Sequence, residues 1–133
     1  MPDAENAAVA ADPRPRLVAC LCAGWCTACQ AYRQTFADLA RTETDTRFVW
    51  IDIEAHADAL GDAALEIENF PTVMLLQHGR VEFFGTILPH AGTLARMLVA
   101  ARSGHLARGG QDEVAALLAP AVQRLADRLR PEA

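Results

Sequence analysis

A chain of 133 residues with 52% hydrophobic and 22% charged side chains fits one domain with its own apolar core, and its composition excludes a disordered polymer. The formal net charge is −5 and no basic stripe is present, which argues against a nucleic-acid partner. All twelve basic residues are arginine, so no mechanism here can use a lysine. No apolar run approaches the roughly 20 residues that span a bilayer, so no membrane partner is expected. Residues 1–16 place Asp3, Glu5 and Asp12 among alanines and end in Pro13-Arg14-Pro15-Arg16. They lack the basic, apolar and cleavage segments of a secretory signal, so the expected location is cytoplasmic, where thiols stay mostly reduced.

Residues 1–16 read as a flexible lead. Leu17 to Cys22 is apolar on both alternating faces, as a central buried strand is. Ala23-Gly24-Trp25 forms a turn, and a helix is expected from about Cys26 to Thr42, with Cys29, Tyr32, Phe36 and Leu39 on its apolar stripe. Arg47 to Ile53 is the second strand. Residues 57–67 form a short helix with Leu60, Ala64 and Ile67 inward. Thr72 to Gln77 is the third strand, His78-Gly79 a tight turn, and Val81 to Phe84 the hairpin partner. A helix over 91–102 carries Leu94, Met97 and Leu98 and ends at Ser103-Gly104. After Arg108-Gly109-Gly110, a last amphipathic helix starts with Asp112 as N-cap. Val114, Leu117, Leu118, Val122, Leu125 and Leu129 are read on its one face, and Pro120 predicts a kink or two pieces. The order implies a four-stranded mixed sheet with helices on both faces, an α/β fold.

Cys20, Cys22, Cys26 and Cys29 lie within ten residues, a clustering that points to one local site rather than a disulfide framework. Cys26 falls at a strand-to-helix junction, where free amides and the helix dipole favour the ionised, nucleophilic sulfur. Cys29 follows one turn later on the buried stripe. The spacing separates the roles: Cys26 attacks a partner disulfide, and Cys29 resolves the mixed disulfide. Cys20 and Cys22 sit two apart on a strand, with Cα atoms about 6.6 Å apart at ~3.3 Å per residue. That disfavours a bond between them, and both read as small buried hydrophobes. Oxidation is therefore expected to join Cys26 to Cys29 and leave the other two as thiols. A metal or cluster held by all four cysteines is the alternative use of the same residues.

Trp25-Cys26-Thr27-Ala28-Cys29, Asp52 after the second strand, Phe70-Pro71-Thr72, the Gln77-His78-Gly79-Arg80-Val81 hairpin and Gly85 resemble the thioredoxin family over roughly residues 17–102. The resemblance implies a thioredoxin-like fold and a protein-disulfide oxidoreductase with Cys26 and Cys29 as catalytic pair. It needs no bound cofactor, but takes protein disulfides as substrates and a reductase or small thiol as reductant. It also implies a cis Phe70–Pro71 bond facing the cysteines, a substrate surface of Trp25, Phe70, Pro71 and Thr72, and room for the partner at Gly85. The chain departs from the family at several places. Thr27-Ala28 replaces Gly-Pro, Cys20 stands where the family has a buried aspartate, Cys22 replaces an aromatic residue, and Trp50 stands where a lysine neighbours that aspartate. Only sixteen residues precede the first strand, too few for the family's N-terminal strand and helix. These departures support a second reading, a binding or assembly module with slow or regulatory cysteines. The domain is expected over 17–104. Residues 105–133 form a helical extension that covers the face left open, either on the same chain or on a second copy in a homodimer.

Overall fold

The structure is a computed structural model, and it describes residues 12–106 and 113–132. The expected N-cap at Asp112, the loop Arg108-Gly109-Gly110 and most of the proposed lead lie outside these residues. Residues 12–15 pack on the domain: the Arg14 guanidinium donates to the Thr46 carbonyl at 3.4 Å, and the Pro15 carbonyl accepts the His78 amide at 2.9 Å.

Strand β1 (Arg16–Cys22) is followed by helix α1 (Thr27–Thr42), strand β2 (Thr46–Asp52), the one-turn helix α2 (Ala57–Leu60) and a 3-10 turn (Asp62–Glu66). Strands β3 (Thr72–Gln77) and β4 (Arg80–Thr86) form the hairpin, and helices α3 (Ala91–Arg102) and α4 (Glu113–Arg128) complete the chain. The sheet order is β2-β1-β3-β4, with β1 parallel to β2 and the other pairs antiparallel, which is the four-stranded mixed sheet expected. His78 and Gly79 turn the hairpin with φ of 51° and 80°, the pairing of positive φ values that a two-residue turn needs to match strand twist.

The alternation of β1 assigns its two faces. Leu17, Ala19 and Leu21 join Val49, Ile51, Met74 and Leu76 in a core covered by Leu118, Val122 and Leu125 of α4. Val18, Cys20 and Cys22 join Phe48, Val73 and Leu75 on the other face, under Cys29, Tyr32 and Phe36 of α1 and Leu94 and Leu98 of α3. The C-terminal extension thus lies on its own chain's sheet, and beyond α4 the Glu132 amide donates to the Phe48 carbonyl on the outer strand β2 at 2.8 Å. That contact partly blunts a sheet edge that would otherwise present unpaired backbone groups.

Three sequence expectations change. The helix read over 57–67 is split at Gly61, whose φ of 78° leaves the helical region and restarts the chain as a 3-10 turn. Leu117 leaves the apolar stripe of α4 and is 67% exposed, because at 100° per residue it falls outside the arc of Leu118, Val122 and Leu125. Pro120 sits within one helix rather than between two pieces. Both Pro120 and Ala116, the residue whose carbonyl loses its amide partner, lie on the solvent side, where water can satisfy that carbonyl.

Candidate active site

The site forms where β1 ends and α1 begins. Ala23-Gly24-Trp25 turns the chain, and a Cβ on Gly24 would sit 3.3 Å from the Asp52 carboxylate, so the turn packs tightly on the end of β2. The Asp52 Oδ1 accepts the Glu54 and Ala55 amides at 2.9 and 3.2 Å, holding the loop beneath. Trp25 Nε1 donates to Glu54 Oε2 at 3.0 Å, and the Gln30 side chain donates to the Gly24 carbonyl at 2.7 Å.

Cys26 is the N-cap of α1, with extended backbone (φ −83°, ψ 118°) and no carboxylate in the first turn that follows. Its amide donates to the Ala23 carbonyl at 3.0 Å, and its carbonyl accepts the Gln30 amide at 3.1 Å. The sulfur therefore stands at the end of the helix where amides lack intrahelical acceptors. Cys26 is partly exposed, while Cys29, one turn on, is 1% exposed.

The expected oxidised pair is not the one found. The structure bonds Cys22 to Cys29, with Cα atoms 5.9 Å apart, and leaves Cys26 and Cys20 as free thiols. The reason is facing rather than spacing. Cys22 is the last residue of β1 on the face that α1 covers, and Cys29 heads the stripe of α1 that packs back onto that face. Cys22 is therefore more than a small core hydrophobe, because the turn brings its side chain opposite that of Cys29. Cys20 is a buried thiol as expected. Its sulfur lies 3.6 Å from that of Cys22 without a bond, and burial pushes its thiol pKa strongly up. Among the described residues, no group of three or more is placed to hold a metal ion.

An open cleft of about 340 Å³ reaches the Cys22–Cys29 bond between Gln30, Arg33, Trp50 and Asp52. The Arg33 guanidinium lies 4.7 Å from the Trp50 ring centre. Arg33 follows Cys29 by four positions on α1, so helical spacing places it on the same side of the helix as that cysteine.

The proposed substrate residues divide. Phe70–Pro71 is cis, as the resemblance implied. Trp25, 65% exposed, meets Phe70 edge-on with ring centres 5.7 Å apart, so the two aromatics form one rim beside Cys26. Pro71 is buried, and its carbonyl accepts the Ile87 amide at 3.0 Å. Thr72 is buried as well. Its hydroxyl binds the Asn69 carbonyl at 2.6 Å and lies 3.4 Å from that of Thr86, so its side chain is committed within the fold. Gly85 pairs with Val73, and a Cβ there would meet the Phe83 ring at 3.2 Å. The space that Gly85 leaves is therefore occupied, at least in part, by this chain's own phenylalanine.

No curated protein matches the sequence. The fold is shared with solved thioredoxins. Oxidised thioredoxin from Plasmodium falciparum superposes with a TM-score of 0.56 at 13% identity, covering 74% of this chain and 90% of that one. The germline-specific thioredoxin Deadhead from Drosophila melanogaster gives 0.57 at 22% identity, covering 74% and 91%. Thioredoxin f from spinach chloroplast gives 0.55 at 24% identity, covering 76% and 79%. The family model described as Thioredoxin matches residues 3–92, more than half of the chain, and with the sheet order, the cysteine-bearing helix start and the cis-proline loop this places the chain in the thioredoxin family.

Proposed function

We propose that the chain is a protein-disulfide oxidoreductase in which Cys26 is the nucleophile and Cys29 the resolving cysteine. The observation that supports it is the placement of a partly exposed Cys26 at a helix start, beside an aromatic rim, with a shielded Cys29 one turn behind it. Thiol–disulfide exchange needs an accessible attacking sulfur and a second sulfur that the first attack brings within reach.

In the reductive direction both cysteines begin as thiols. The Cys26 thiolate attacks one sulfur of the substrate disulfide, forming a mixed disulfide and releasing the other substrate sulfur as a thiolate. Cys29 then gives up its proton and attacks Cys26. The mixed bond breaks, Cys26–Cys29 forms, and the second substrate sulfur leaves and is protonated. Two electrons have passed to the substrate, and an external dithiol or reductase restores the pair. Trp25 and Phe70 supply apolar contact for the substrate chain. With Cys20 in place of a carboxylate under the site, protons reach Cys29 through the cleft beside Asp52.

The test is dithiothreitol-driven reduction of a protein disulfide. The wild type should turn over, Cys26→Ser should not, and Cys29→Ser should accumulate a mixed disulfide through Cys26. No turnover by a folded, fully reduced wild type would leave the binding-module reading in its place.

A further inference from the structure

We propose that Cys22 is a third redox cysteine, and that Cys29 is a pivot able to bond either to Cys26 at the surface or to Cys22 beneath it. The inference rests on the oxidoreductase reading and adds a residue to it.

The two alternatives share one atom. Cys29 is one helical turn from Cys26, and it is bonded to Cys22 across the strand–helix contact at a Cα separation of 5.9 Å. This lies inside the range of about 4.4–6.8 Å that a disulfide bridges without backbone movement. Both Cys22 and Cys29 sit on regular elements that pack in one core, so neither needs a loop to move. The bond is nonetheless not sealed, because the cleft at Gln30, Arg33 and Asp52 opens onto both residues and admits water to carry a proton. Cys20 does not extend the relay. It neighbours Cys22 along the strand, but it does not line the cleft through which a proton could leave.

The exchange balances without any added oxidant. After a turnover has left Cys26–Cys29, Cys22 loses its proton to water in the cleft, and its sulfur attacks the Cys29 sulfur. The Cys22–Cys29 bond forms, the Cys26–Cys29 bond breaks, and Cys26 leaves as a thiolate that takes up a proton. One disulfide remains in the chain throughout. The reverse attack by Cys26 returns the disulfide to the surface, where a reductant can reach it. While the disulfide is buried, Cys26 is a single accessible thiol whose mixed disulfides Cys29 cannot resolve. The site thereby changes from a two-cysteine reductant to a one-cysteine trap.

The full chain, first reduced, is treated with excess glutathione disulfide, quenched in acid, alkylated under denaturing conditions and mapped by peptide mass. Wild type should carry the Cys22–Cys29 bond and one glutathionyl group on Cys26. Cys22→Ser, or Cys22→Ala where the serine does not fold, should carry the Cys26–Cys29 bond and no glutathione. If both wild type and variant carry Cys26–Cys29 without glutathione, the pivot is refuted and the oxidoreductase reading stands. If the variant keeps glutathione on Cys26 and forms no bond to Cys29, both are refuted, because Cys29 then resolves nothing.

Discussion

Removal of residues 105–133 would uncover much of one face of the sheet, leaving there the cover that Leu60 and Ala64 provide. Leu118, Val122 and Leu125 of α4 are 0–2% exposed and rest on Leu17, Leu21, Val49, Ile51, Met74 and Leu76. Burying a large aliphatic side chain stabilises by about 1.5–3 kcal/mol, so these three alone contribute about 4.5–9 kcal/mol. The strand residues they cover would lose their cover as well. A domain's net stability is only about 5–15 kcal/mol, so the truncated chain should lose its cooperative transition or associate through the open face. Circular-dichroism melting and urea titration measure the first, and light scattering the second. Within the full chain, Leu118→Ala should cost about 2–5 kcal/mol, read from the urea midpoint at unchanged slope. A chain ending at Gly104 that stays monomeric with the full-length melting temperature would refute the reasoning and make α4 a dispensable tail.

Burial raises the Cys20 thiol above its ordinary value of 9.0 and the Tyr32 phenol above its ordinary 10.0. Above about pH 9 the unfolded chain releases the Cys20 proton while the folded chain keeps it, so stability should fall with rising pH. The slope should reach about 1.4 kcal/mol per pH unit for that group, with Tyr32 adding its own above pH 10. Cys20→Ala should flatten the first part of that fall in urea titrations run from pH 8 to 10; an unchanged slope would count against the burial argument. Tyr32→Phe should leave stability equal or raise it by up to about 1 kcal/mol, since the buried hydroxyl has no hydrogen-bond partner among the described residues; a clear loss in a thermal melt would show that the hydroxyl is satisfied. Arg16 is buried at the start of β1 and held by both Glu82 oxygens at 2.8 and 3.1 Å. Glu82→Ala should therefore cost about 3 kcal/mol by leaving the guanidinium without that partner, and a urea midpoint equal to wild type would refute this.

Local patterning already determined most of the frame. The both-faced apolar runs at 17–22 and 72–77 mark central strands because such strands are covered on two sides. His78-Gly79 marks the hairpin because few residue pairs tolerate two positive φ values. The α3 bounds were legible from its stripe and its Ser103-Gly104 stop, and the motifs around Cys26 and Pro71 carried the family. What the sequence could not decide depends on which surfaces meet. Spacing alone favoured Cys26 as the partner of Cys29, because both lie on one helix. The partner found is Cys22, because β1 and α1 fold face to face and a strand's side-chain direction becomes informative only once its covering helix is placed. The same holds for α4. Its apolar stripe required a partner, and both its own sheet and a second copy satisfied that requirement. In the structure Leu118, Val122 and Leu125 share one buried core with Leu17, Val49 and Met74 of their own sheet, and the Glu132 amide reaches the β2 edge. Periodicity reports that a face must be buried; only the tertiary structure determines what buries it.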